Sequence, residues 1–219
     1  MTVTARQAGL SLVLLCTACA HLPSLSPIPD ESKTAAVARC RQAFPAQPWR
    51  ATHTIFASLP FGMNGALIGV TAAGPDGLQS ILLSPEGVSL YEGVQKIGAD
   101  GRPRLTIHRA VPPFDRPDFA AALMADVGNA FLAPAGQPSS VGKYPSGQTA
   151  CRYTPPGGET TDVELAAGGP SSIRTYRNLH VTRQIELLGG ATDGFFPQVR
   201  LIVPGSGGYT LDMMLVDHE

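Results

Sequence analysis

The side chains of this 219-residue chain that could do chemistry are five histidines, four cysteines, a serine among glycines and a close-set group of aspartates. His21, His53, His108, His180 and His218 are scattered. None stands three or four positions from another His or a Cys, the spacing that lets neighbouring turns offer two ligands to one metal, and a solitary histidine in a strand is ordinarily a surface or satisfied core residue. Ser206 lies in Gly205-Ser206-Gly207-Gly208. A hydrolase nucleophile of the G-x-S-x-G type needs a strand-to-helix elbow, and a phosphate loop needs a helix N-terminus behind its glycines. This run sits between two strand-like segments, so it reads as a turn. Asp115, Asp118 and Asp126 suggest paired carboxylates. The first two fall where a helix start favours acids, with Asp115 as the cap, and Asp126 is expected on the wet face. The chain is therefore expected to be no enzyme, with no catalytic residue, no metal ligand and no cofactor.

The amino end is more informative. Met1 to Arg6 carries one positive charge, Ala8 to Cys16 is apolar, and Thr17 and Ala18 are small, which is the order of a signal peptide over 1–18. The apolar run is about half of the ~20 residues a helix needs to span a bilayer. Leu15-Cys16-Thr17-Ala18-Cys19 resembles the lipobox of bacterial lipoproteins, with Cys19 at its invariant position and Cys16 where leucine is commonest. That resemblance implies cleavage before Cys19 and a diacylglycerol thioether on its sulfur, a stable membrane anchor once two or more acyl chains are present. Ala20, standing where an Asp would signal inner-membrane retention, implies transfer to the outer membrane, facing the periplasm. The alternative is a secreted protein in which Cys19 is an ordinary thiol. Residues 19–31 are rich in Pro and Ser and read as an extended tether that holds a domain over 32–219 off the lipid surface.

In that oxidising compartment Cys40 and Cys151 remain as an even pair, and a disulfide is the natural expectation, with two buried free thiols as the alternative. Closing a loop of roughly 110 residues would stabilise the fold by about 5 kcal/mol on the chain-entropy model. Sixteen Lys and Arg against seventeen Asp and Glu give a net charge of -1 with no basic stripe, which argues against a nucleic-acid partner. Arg39 with Arg41 forms only a local cluster.

The elements that must position these residues follow from periodicity. Ala36, Val37, Cys40 and Phe44 recur at helical spacing between Ser32 and a stop at Pro45. Extended segments follow over Thr52–Ala57, Ala66–Ala72, Leu78–Ser84, Val88–Val94 and Arg104–Val111, separated by turn signals such as Gly74-Pro75-Asp76-Gly77 and Pro85-Glu86-Gly87. A second helix starts near Pro117 with the stripe Phe119, Leu123, Val127, Phe131 and ends at Pro134. Ala135–Gly147 reads as a loop. Strands resume over Thr149–Tyr153, Thr161–Ala166, Ile173–Leu179, Val181–Leu188, Gln198–Val203 and Tyr209–Val216. The order is helix, about five strands, helix, about six strands, an α+β pattern of antiparallel hairpins.

With a lipobox before it, that order resembles the outer-membrane lipoprotein receptor LolB and its soluble relative LolA. Locally, Leu82-Leu83-Ser84-Pro85-Glu86-Gly87-Val88-Ser89-Leu90-Tyr91 is similar to the strand, Pro/Gly turn and strand found early in such proteins. The resemblance implies a strongly curved antiparallel sheet forming an unclosed barrel, with a lid of two or more helices over an apolar cavity for an acyl chain, a lipid or lipidated cargo. The alternative is a scaffold lipoprotein of an envelope complex, its interior filled and its sheet edge or outer face holding a protein partner. Phe61, Met63, Phe195 and Phe196, with Leu67, place apolar side chains beside or near glycines. Exposed, they would be a lipid gate or a docking tip, and buried, they would be core.

Overall fold

The computed structural model of the chain describes residues 22–59, 64–98, 103–205 and 207–219. Two helices, α1 (Asp30–Arg41) and α2 (Pro117–Phe131), accompany the strands β1 (Ser26–Pro27), β2 (Trp49–Ser58), β3 (Asn64–Gly74), β4 (Gly77–Leu83), β5 (Ser89–Ile97), β6 (Pro103–Ala110), β7 (Ser140–Lys143), β8 (Thr149–Tyr153), β9 (Thr160–Ala166), β10 (Gly169–Arg177), β11 (His180–Leu188), β12 (Gln198–Val203) and β13 (Tyr209–His218). The 13 strands form one sheet in the order β1-β7-β8-β9-β10-β11-β12-β13-β2-β3-β4-β5-β6. Among the described residues β1 and β6 are its two free ends, so the barrel is open.

Alternation builds the inner wall. In β2 the side chains of Trp49, Ala51, His53, Ile55 and Ala57 are buried while Arg50, Phe56 and Ser58 are exposed, the period of two expected of a strand with one wet face. Ile55 of β2, Tyr91 of β5, Val163 of β9, Ile185 of β11 and Leu211 of β13 belong to one hydrophobic core. Strands far apart in the sheet order can share a core only where the sheet curls on itself, so the expected strong curvature is present.

The disulfide between Cys40 and Cys151 is formed, with Cα atoms 6.4 Å apart. It fixes α1 on β7 to β10. Helix α1 starts two residues earlier than expected, with Asp30 and Glu31 in its first turn and Arg39 and Arg41 in its last, both complementing the helix dipole. It ends before Pro45, and Ala43 and Phe44 continue it only as tighter turns onto the carbonyls of Cys40 and Arg41.

Four expectations need correction. Asp115 does not cap α2: the cap position is Arg116, with no side-chain capping bond, and Pro117 opens the helix. The buried face of α2 is broad, adding Ala120, Met124, Asp126 and Ala130 to the four-residue stripe, because the helix lies in a concave sheet. The loop over Ala135–Gly147 contains β7, whose Gly142 has the Ser26 carbonyl so close that an added Cβ would lie 2.5 Å from it. Finally, the end of the supposed tether belongs to the domain. Ser26 and Pro27 pair with Lys143 and Gly142, an edge position where a proline's missing donor costs nothing. Arg152, on the face away from the core, donates to the Pro23 carbonyl at 2.9 Å while holding the fully buried Asp162 through bonds of 2.7 and 2.6 Å. The segment leading away from Cys19 is thus strapped to the β7–β8 end of the sheet.

Candidate binding cavity

Helix α2 lies across the inner wall, nearest β4, and a cavity of about 40 Å³ lies between them. Its wall is Leu211 and Met213 of β13, Ile55 and Ala57 of the adjacent β2, Leu67 of β3 and Leu82 of β4. Phe119, Leu123 and Val127, three of the four stripe residues read from sequence, form its roof. Rings continue along it: Phe114 lies 5.7 Å from Phe119, and Phe119 lies 6.2 Å from Tyr209.

The roof is attached by a residue expected to face water. Asp126 is 1 % exposed, accepts hydrogen bonds from the Tyr209 hydroxyl and the Arg183 guanidinium, and so joins α2 to β13 and β11. Burial pushes its carboxyl above the usual carboxylate range, against the opposing pull of the Tyr209 and Arg183 hydrogen bonds. Burial, reinforced by Asp126, likewise drives the Tyr209 phenol up. The helical pattern did hold the signal: Asp126 is three residues after Leu123 and seven after Phe119, so it falls on the apolar stripe.

Polar atoms enter the cavity wall at few places: His53, Thr71, Ser80 and Tyr209. His53 is 2 % exposed, its Nε2 has no hydrogen-bond partner, and burial pushes its pKa down to about 4. It was expected to be a surface or satisfied core residue and is neither. Its phase in β2, alternating with Ala51 and Ile55, is the sequence signal that it points inward.

No protein-family model matches the chain, and no curated protein matches it in sequence. Solved structures match its shape. A DUF1329 family protein from Desulfovibrio piger aligns with a TM-score of 0.53 and 10% identity, covering 88% of this chain and 93% of that one. The chain has that protein's fold. A LolA superfamily protein from Nitrosomonas europaea is also similar, with a TM-score of 0.49 and 9% identity over 85% of this chain and 92% of that one. So is a structure described as an outer membrane lipoprotein-sorting protein domain from Vibrio parahaemolyticus, with a TM-score of 0.47 and 12% identity over 86% and 90% of the two chains. At such identities the likeness is one of fold.

The remaining candidate residues divide clearly. Phe195 and Phe196 are each 4 % exposed and belong to the core, Phe195 packing edge-on against Trp49 at 5.6 Å. Of the two alternatives for them, core is what the structure shows. Phe61, Met63, Cys19 and Ser206 lie outside the described residues. Leu67, grouped with Phe61 and Met63 by sequence, lines the cavity. Asp115 and Asp118 are exposed whereas Asp126 is buried, so the three aspartates form no joint site.

Proposed function

We propose that this protein is a lipid-anchored protein of the bacterial outer membrane, facing the periplasm, that holds the acyl chain of a lipid or of lipidated cargo between the concave sheet face and α2. The supporting observation is the apolar cavity roofed by a helix whose nearest strand is β4 and whose polar attachment is one buried carboxylate. The anchor rests on the lipobox at Cys19. No helix among the described residues is long and apolar enough to cross a membrane.

At about 40 Å³ the cavity has room for more than the 10–15 Å³ or so that one water needs, and far less than an acyl chain fills. Holding an acyl chain here therefore requires α2 to move outward. The sheet wall, held by ladders on both sides of nearly every strand, stays fixed.

The test is organic extraction and mass spectrometry of full-length protein purified from membranes, with displacement of the apolar fluorophore N-phenyl-1-naphthylamine by lipids. An acyl ligand in the extract and saturable displacement are expected. A clean extract together with no fluorophore binding would sink the carrier reading. One observation favours a second reading: among the described residues β6 is an unpaired sheet edge, mostly exposed, with Ile107 39 % exposed, a place where a partner's strand could add. A scaffold would give the clean extract and a stable envelope-protein complex.

A further inference from the structure

The residues that interrupt the apolar wall are neighbours. His53 of β2 stands opposite Gly69 of β3. Two positions along β3 is Thr71, and Thr71 stands opposite Ser80 of β4. Residues two apart share a face and diagonal cross-strand neighbours are within reach of a long side chain, so the imidazole and the two hydroxyls make one polar patch on a wall of Ile55, Leu67 and Leu82. Gly69 sets no side chain of its own opposite His53, and the space above it is taken by Ile55, whose Cδ1 would lie 2.6 Å from a Cβ there.

A buried polar atom without a partner is costly in a folded protein, and His53 Nε2 is one while lining a cavity. A leucine at this position would continue the pattern of Ala51 and Ile55 without that cost. A ligand that brings the missing partner removes it. The sign of the ligand's charge follows from the lining, which contains no Lys or Arg, and from Arg183 being engaged already by Asp126 and Glu159. An anionic headgroup placed here would be buried without a counter-charge. Nor does the imidazole supply one, since burial keeps it neutral at pH 7. A neutral imidazole nitrogen donates or accepts one hydrogen bond according to tautomer, and a hydroxyl does both.

We propose, building on the acyl-chain reading above, that the patch of His53, Thr71 and Ser80 receives an uncharged hydrogen-bonding group, so that the ligand of this cavity is a neutral amphiphile such as an acyl ester, amide or alcohol. A free fatty acid anion and a plain hydrocarbon are both poorer ligands.

The experiment compares methyl palmitate, hexadecanol, palmitate and hexadecane as competitors of N-phenyl-1-naphthylamine on the full-length protein at neutral pH. The ester and the alcohol are expected to compete on the order of tenfold better than the hydrocarbon and the anion, the worth of one hydrogen bond to a group that otherwise has none. In His53→Leu the ratio of ester to hydrocarbon affinity falls to about twofold or less, and in Ser80→Ala it falls part of the way. A ratio is read because a merely structural loss lowers both affinities together. Should His53→Leu fail to fold, the Ser80→Ala ratio decides. Equal competition by all four compounds overturns the patch and leaves the acyl cavity standing. Strongest competition by palmitate overturns the exclusion of charge. An ester preference that survives both substitutions overturns the assignment to these residues, and a protein that binds neither fluorophore nor competitor overturns this inference together with the acyl-chain reading.

Discussion

His53 ties stability to pH in a definite direction. In the unfolded chain its imidazole takes a proton near pH 6.5, whereas burial in β2 holds the folded value at about 4. The stabilisation is therefore complete above pH 6.5 and is lost as pH falls toward 4, about 3 kcal/mol in all from a single site. Chemical denaturation followed across that window should show a falling midpoint in the wild type and a flatter profile in His53→Leu. An unchanged slope in the variant would assign the acid sensitivity elsewhere. Asp126 has the opposite sign. Its carboxyl is raised on folding, so its contribution is present at the lowest pH and fades as pH climbs through the folded value, and it cannot be the source of the acid loss.

At the scale of elements, α2 and the amino-terminal strap are the two pieces held by identifiable single contacts. Asp126→Ala leaves the Arg183 guanidinium, 14 % exposed, with only a 3.4 Å contact to Glu159. A loss of about 3 kcal/mol is expected, with α2 amides exchanging by local opening well before those of the β2–β3 ladder. Hydrogen exchange of the variant checks both, and uniform protection across the molecule would mean that α2 is not a separately opening unit. Gly142→Val sets a side chain against the Ser26 carbonyl and should release β1 from β7. Limited proteolysis within residues 22–29 should then quicken with little change in global stability, because the strap covers only the end of the sheet. If Cys19 carries lipid, the chain from Cys19 to Pro23 reaches at most about 14 Å, which sets the β7–β8 end of the barrel toward the membrane.

For the molecule as a whole, a covalent link ties together parts of the chain that are distant in sequence. The disulfide joins residues 111 apart and fastens the first helix to a strand of the second half. Reduction, or Cys40→Ser with Cys151→Ser, should cost roughly 2–5 kcal/mol and lower the melting temperature in calorimetry, with α1 detaching from β7–β10. A melting temperature insensitive to reductant would show that packing of Ala36 and its neighbours holds the helix unaided.

Much of this architecture was legible before any coordinates. Alternating apolar residues, Gly and Pro turn signals and two amphipathic stripes were enough for an α+β order of antiparallel hairpins, the open barrel was implied by the family resemblance, and an even pair of cysteines behind a lipobox was enough to expect the bridge. These are local patterns, fixed by the period of a strand or a helix and by which residues tolerate a reversal. The strands β1 and β7 were hidden because each is only a few residues long and lies in Pro-, Ser- or Gly-rich sequence, where pairing with a distant segment outweighs local preference. Asn178 and Leu179 hid part of a turn for the opposite reason, both taking positive φ between β10 and β11 without the glycine that would mark it. The polar residues of the cavity needed tertiary structure most. That Asp126 and His53 turn inward is written in their phase, but that Asp126 meets Arg183 and that His53 Nε2 has no partner depends on the curl of a sheet that brings β2, β11 and β13 around α2, and no spacing along one strand or helix records that curvature.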